Sequence, residues 1–356
     1  MKRFLPLFLL IAVPALLQSC SSYIYKDVYP TLIDGRYDSE FPYKGCSEQL
    51  EEIISTVMRI NVMTHYRTYL FSPEDSVIAD DVPAILAKLR HRESTYEHHT
   101  FGGTGTIILS DEWRLALITC AHVVDFPDTI INRYVSPDHL PTRYAQSISV
   151  KTGESIFLSE VSPSASFEIL AMDRSMDLAI IGQKRYSPEI PRFKAFSYPL
   201  GKAKELEWGS FVYVFGYPSG FRMISKGIVS PSNKLPVGSF NVDVVISAGS
   251  SGSIALAIRD GVPHFELVGI LKSVPAHVSN LLVPSNQDED FPFDAARPYH
   301  GDVFIERKIE AQPGIAQAIP IESMVKFISD NHKTLMQHGF DLSSWTNPPK
   351  KEESAK

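Results

Sequence analysis

From residue 101 to residue 271 the chain is a succession of short apolar segments separated by turn residues, and this spacing confines it to an all-β architecture. The segments cover residues 105–109, 115–119, 167–172, 178–181, 211–215, 242–246, 254–258 and 265–271. No helical segments alternate with them, as the crossovers of a parallel sheet would require. Strands this short and numerous close into barrels or sandwiches. Upstream, residues 47–56 read as a short helix, with Ser47 and Glu51 near its capping positions, and residues 57–62 as a strand. Residues 73–97 suggest an inserted loop with a helix near 82–89, and residues 276–312, with several prolines and acidic groups, a second surface insertion. A closing helix is expected over 322–338, and residues 341–356 are expected to be a disordered tail.

The first residues point to export. Lys2 and Arg3 precede an apolar run over residues 4–17 that contains Pro6 and Pro14, too short to cross a bilayer and proportioned like a signal-peptide core. It ends in Leu17-Gln18-Ser19-Cys20, which resembles the lipobox of bacterial lipoproteins. That resemblance implies a signal peptide over 1–19, acyl chains on Cys20, and a cell-envelope location, at the periplasmic face of the outer membrane if the host has one. Each buried methylene contributes about 0.8 kcal/mol, so one chain holds only marginally and several anchor firmly. The alternative is an ordinary signal peptide with a cysteine near its end. Residues 20–46 then read as a tether. Cys46 and Cys120 remain, and the sequence leaves both a disulfide and two free thiols open.

Three segments carry chemistry. In Leu117-Ile118-Thr119-Cys120-Ala121-His122 an apolar strand ends in a histidine; in Asp173-Arg174-Ser175-Met176-Asp177-Leu178-Ala179 an aspartate opens a buried strand. In Ser247-Ala248-Gly249-Ser250-Ser251-Gly252-Ser253 the glycines let the backbone turn tightly enough to aim the amides of Gly249 and Ser251 at one point, an oxyanion hole. Taken singly, each has a plainer explanation: a structural histidine, an aspartate at a strand start, a flexible Gly/Ser loop. Asp173 is a competing carboxylate.

Together and in this order, the three resemble the trypsin-like serine proteases, and most closely the HtrA/Deg branch. Thr119-Cys120-Ala121-His122 is similar to the family's Thr-Ala-Ala-His, Asp177-Leu178-Ala179 to its Asp-Leu-Ala strand, and Gly249 to Ser253 to its nucleophile loop. Gly103-Thr104-Gly105-Thr106, Phe215-Gly216-Tyr217-Pro218 and Lys226-Gly227-Ile228-Val229-Ser230 add to the likeness, which spans residues 47 to 335. The order His, Asp, Ser differs from the subtilisin and α/β-hydrolase orders. The resemblance implies a two-barrel trypsin/chymotrypsin-like fold over 47–340, a His122–Asp177–Ser251 triad, oxyanion donors at Gly249 and Ser251, and a substrate pocket at Val245 and Ile246. With no acid in that stretch, cleavage is expected after small or medium aliphatic residues of protein or peptide substrates. The sequence departs from the pattern at Cys120, Ser250 and Ser253, and no PDZ domain is expected after residue 340. A catalytically inactive, peptide-binding or scaffolding lipoprotein is the alternative.

Other chemistries find no footing. The net charge of −7 carries no basic block, so no nucleic-acid partner is expected. HExxH, CxxC, P-loop and GxGxxG motifs are missing from the sequence, so no metal or cofactor is expected. His98 and His99 are neighbours on an extended segment and point to opposite faces, which favours two solvent-exposed side chains over a ligand pair.

Overall fold

The computed structural model describes residues 30–42, 44–81, 85–86, 89, 92–136, 140–160, 166–184, 192–230, 239–273, 276–284, 303–311 and 314–346. The expected leader, Cys20, most of the helix expected near 82–89 and residues 347–356 lie outside them.

Two antiparallel sheets carry the fold. The first uses β1 (Val57–Leu70), β2 (Thr95–Ser110), β3 (Arg114–Thr119), β4 (Thr129–Val135), β5 (Pro141–Leu158), β6 (Glu168–Asp173) and β7 (Leu178–Lys184), in the order β4-β5-β1-β2-β3-β7-β6. A bridge between Ile156 and Phe167 ties β5 to the entry of β6 and curls this sheet into a barrel. The second uses β8 (Phe211–Gly216), β9 (Met223–Ile228), β10 (Phe240–Val242), β11 (Ile254–Ile258), β12 (Phe265–Ser273) and, from further along the chain, Ala316–Pro320. Its order is β10, then Ala316–Pro320, then β12-β11-β8-β9, and a Val229–Val242 bridge closes it. Between β12 and Ala316–Pro320, β13 (Ala276–Pro284) and β14 (Val303–Ala311) form a separate hairpin where the surface insertion was expected, so Ala316–Pro320 is β15. This is the two-barrel, trypsin-like architecture.

The strands at the barrel contacts are apolar without alternation because both of their faces are covered. Every residue of β8 and β11 is buried, and one contiguous core runs through both barrels. The expected strand at 242–246 stops at Val242. There the Asp243 carboxylate accepts the Ile228 amide at 2.5 Å, and Val244 turns away to donate to Gly314 O at 3.2 Å. Strands β1, β2 and β5 run well past their apolar stretches and carry a second, smaller core of Tyr69, Phe71, Ala79 and Ile148. The expected closing helix is two, Ile321–Asp330 and His332–Gln337, broken at Asn331, whose side-chain amide donates to Phe327 O at 2.9 Å in competition with the backbone.

Two expectations need correcting. Residues 30–42 and 44–46 do not hang free as a tether: they lie along the second barrel. Asp38 N–H donates to Ile258 O and its carbonyl accepts from Phe211, while the Tyr37 hydroxyl donates to Glu266 at 2.7 Å and accepts from Lys202 N–H. Nor does disorder begin at 341. Leu342 is fully buried, and Trp345, on the short helix Ser343–Thr346, packs its ring 5.7 Å from that of Phe196. Apolar side chains of this size are held by burial, whatever their nearness to the terminus. Cys46 and Cys120 are both buried and free, which selects the second of the two open thiol assignments. Among the described residues no helix is long and apolar enough to cross a membrane.

Burial raises the Asp38 carboxyl to about 6, against the donated Gly261 N–H that favours its ionised form; Glu40, Asp260 and Asp34 add to the rise. The folded state therefore holds this proton more tightly than the unfolded chain, and the associated stability is present below about pH 4 and lost as pH climbs through 6. Asp38→Asn should behave like the parent at pH 4 and exceed it near pH 7 by on the order of 2 kcal/mol, read from urea denaturation at the two pH values.

Candidate active site

Strand β3 ends at Thr119, and the chain turns at once into the single helical turn Ala121–Val124 that presents His122 to solvent. Asp177 comes from the tight turn before β7 and adopts a left-handed φ of 57°, a conformation aspartate tolerates better than most side chains. Its carbonyl accepts from Ala121 N–H at 3.2 Å, so the aspartate turn and the histidine turn are bonded through the backbone before their side chains meet. His122 Nδ1 lies 2.9 Å from both carboxylate oxygens of Asp177, and His122 N–H donates to Oδ1 at 3.0 Å. This arrangement calls for a proton on Nδ1 and leaves Nε2 as a lone-pair acceptor. Asp173 shapes the turn instead, its Oδ1 taking the amides of Ser175 and Met176 and the Ser175 hydroxyl.

Ser251 stands on a loop fixed from the opposite barrel. Thr104 N–H donates to Ser251 O at 2.8 Å, and the Thr104 hydroxyl donates to Gly249 O at 2.8 Å while accepting from Tyr217 N–H at 3.0 Å. Gly249 and Gly252 have φ of 95° and 90°; a Cβ on the first would sit 2.4 Å from Tyr217 O, and on the second 1.9 Å from Thr104 O. Both positions thus need glycine for its left-handed backbone and for the closeness of the neighbouring chain. Among the described residues neither Gly249 N–H nor Ser251 N–H meets an acceptor, which leaves two amides beside the serine hydroxyl available to a ligand oxygen.

The departures from the family pattern are accommodated. Ser250 is buried, and its hydroxyl closes the turn by accepting Ser247 N–H at 3.0 Å. Ser253 is buried with its hydroxyl 3.4 Å from that of Thr104. The Cys120 thiol donates to Leu271 O at 3.2 Å, the carbonyl that also takes Gly252 N–H at 2.8 Å. One carbonyl of β12 therefore joins the residue two before His122 to the residue one after Ser251. Burial first, and the Asp177 charge second, push the Cys120 thiol well up. Ligand atoms of Cys120, His122 and Asp177 lie within 4.8 Å of one another, the spacing of a cation site. Yet Nδ1 and the carboxylate are engaged with each other, and the thiol is held in its protonated form, so the set suits a hydrogen-bonded pair better than a metal.

The histidine–aspartate pair is in place, whereas the Ser251 hydroxyl donates to Lys272 O at 3.4 Å and makes no hydrogen bond to His122. Of the two residues expected to form the substrate pocket, Ile246 is buried in the core and Val245 is 70% exposed, so their side chains do not face one cavity. Sequence reasoning missed the part played by Thr104, visible only as an accessory Gly-Thr-Gly-Thr match, and the Leu271 and Lys272 carbonyls, which carry no side-chain signal.

Thr104→Val keeps the amide but strands Gly249 O and Tyr217 N–H; it should cost about 2–3 kcal/mol in urea denaturation, with Thr104→Ser recovering most of it.

No curated protein matches the chain. The family model described as a trypsin-like peptidase domain matches residues 103–270, the stretch that holds His122, Asp177, Ser251 and the Thr104 clamp, and over that stretch the protein is similar to the trypsin-like peptidases.

Proposed function

We propose that the protein is a serine endopeptidase that hydrolyses peptide bonds of exported or envelope proteins through an acyl-enzyme. The observation that carries this reading is the two-oxygen grip of Asp177 on His122 Nδ1, which leaves Nε2 as a lone-pair acceptor, together with two amides on either side of Ser250 that meet no acceptor among the described residues. Serine is a poor nucleophile until a base takes its proton. The reading requires the Ser251 side chain to leave Lys272 O, a weak bond at 3.4 Å, and to meet Nε2; such contacts often tighten only once substrate is bound. The imidazole then accepts the proton as Oγ attacks the carbonyl, Asp177 steadies the imidazolium, and Gly249 and Ser251 N–H hold the oxyanion. The proton passes to the leaving amine, and water resolves the ester by the same route.

The uncharged run Val244-Val245-Ile246 before the loop supports cleavage after small or medium aliphatic residues. Profiling of a peptide library should give cuts after Val or Ala; cuts mainly after Arg would overturn this. We also carry forward the HtrA-like affiliation and the lipid anchor on Cys20.

A second reading, a peptide-binding module without turnover, is favoured by one observation: the Ser251 hydroxyl is given to Lys272 O and not to the imidazole. A fluorophosphonate probe separates the two. The parent should label, Ser251→Ala should not, and losing Ser251 or His122 should cost on the order of 10⁶ in turnover. The labelled species should sit in the membrane fraction and move to the soluble one in Cys20→Ser. A folded parent that binds peptides without labelling would support the second reading.

A further inference from the structure

Next to the nucleophile loop lies a cavity of about 240 Å³ whose walls include Arg59, Gly102, Gly103, Tyr217, Gly220 and Gly249. Arg59 is on β1, directly opposite Thr104 in the β1–β2 register. Its guanidinium lies over the backbone of Gly220, where an added Cβ would come within 2.9 Å of Cζ. It is partly buried and donates to no acceptor among the described residues. The other ions nearby are committed: Arg222 donates to the Tyr217 hydroxyl at 2.8 Å and pairs with Glu160 at 3.5 Å, and Glu160 accepts the Tyr217 hydroxyl at 2.9 Å. Among the described residues the Arg59 guanidinium is therefore left to solvent or to a ligand, and the planar fork of arginine fits a carboxylate through two parallel bonds.

The flank of the scissile bond that Arg59 serves follows from the imidazole. Gly103 packs against Val123, one residue past His122, so close that a Cβ would meet Val123 Cγ1 at 2.4 Å. The cavity wall at Gly102 and Gly103 is therefore on the side of the group that protonates the leaving amine. Arg59 faces Thr104, whose N–H donates to Ser251 O, and shares its cavity with Gly249, so the guanidinium serves the positions just beyond the cleaved bond.

We propose that Arg59 is the carboxylate-binding group of a subsite on the leaving-amine side, selecting polypeptides with a carboxylate shortly after the scissile bond. The carboxylate comes either from an Asp or Glu side chain or from a free C-terminus. This rests on the hydrolytic reading above and adds its substrate class.

The test uses quenched fluorescent peptides with Val before the cleavage position. Each of the next three positions carries Glu, Gln or Lys in turn with an amidated end, and a further set carries Gln throughout with a free terminal carboxylate at each of these positions. In the parent, the carboxylate peptides of one arm should gain about tenfold or more in kcat/KM over their Gln amides. Arg59→Gln should bring that ratio to within about twofold, and Arg59→Lys, with the charge but not the fork, should keep part of it. The arm that gains identifies the source. A parent without carboxylate preference, or a preference that survives Arg59→Gln in a protein with unchanged Tm, overturns the proposal. If no peptide is cut, the hydrolytic reading fails on its own; the same peptides are then titrated onto Ser251→Ala, where the Arg59-dependent difference must appear in Kd, and its absence there sinks the subsite as well.

Discussion

The serine loop depends on Thr104, a fully buried residue of the first barrel whose polar atoms reach that loop, Tyr217 and the strand that leads to His122. Its amide holds the Ser251 carbonyl, its hydroxyl spans Gly249 O and Tyr217 N–H, and its own carbonyl accepts the Thr119 hydroxyl at 2.7 Å, on the strand that ends at the histidine. A net hydrogen bond contributes only about 1 kcal/mol, but leaving such a group buried and unpaired costs more, so the set holds or fails as a unit. The close approach sets composition as well. Glycine stands at 216, 249 and 252 because a Cβ at each would fall within about 2.4 Å of Ser253 Oγ, Tyr217 O and Thr104 O, respectively.

The site is unevenly rigid. The His122 imidazole is held by two side-chain contacts and one backbone contact to Asp177, and the Gly249 and Ser251 amides are set by a loop tied at both ends. The Ser251 hydroxyl, by contrast, has a weak partner in Lys272 O at 3.4 Å. Orientation is thus invested in the imidazole and the loop backbone, the groups that the proposed reaction needs in place before charge develops.

The barrel strands and the three chemistry-bearing segments were legible in the sequence for a physical reason. Residues 115–119, 178–181 and 254–258 are buried on both faces and so are continuously apolar, and the serine turn needs glycines that few other structures require. What escaped was whatever relies on the backbone or on pairing at a distance. The outer half of β2, Thr-Tyr-Glu-His-His-Thr-Phe-Gly, is exposed throughout and has no apolar period, yet it pairs residue for residue with β1. His98 and His99 are exposed there, as their adjacency indicated. Residues 30–46 look like a linker by composition, but Tyr37 and Asp38 meet partners more than two hundred residues away in Ile258, Gly261 and Glu266. Asp177 was distinguishable from Asp173 only by its place beside the apolar run; the deciding fact, which carboxylate faces the imidazole, is tertiary.

The shared acceptor at Leu271 has an implication for how the molecule comes into being. In chain order the first barrel, histidine and aspartate included, precedes β12, and the serine turn has nothing to seat Gly252 until that carbonyl is in place. The helix at 321–330, whose Met324, Phe327 and Ile328 are buried in the common core, arrives later still. On the proposed hydrolytic reading, the His122–Asp177 pair belongs to the first barrel while the serine turn is seated only by the second, so activity would require the whole fold and not the first barrel alone.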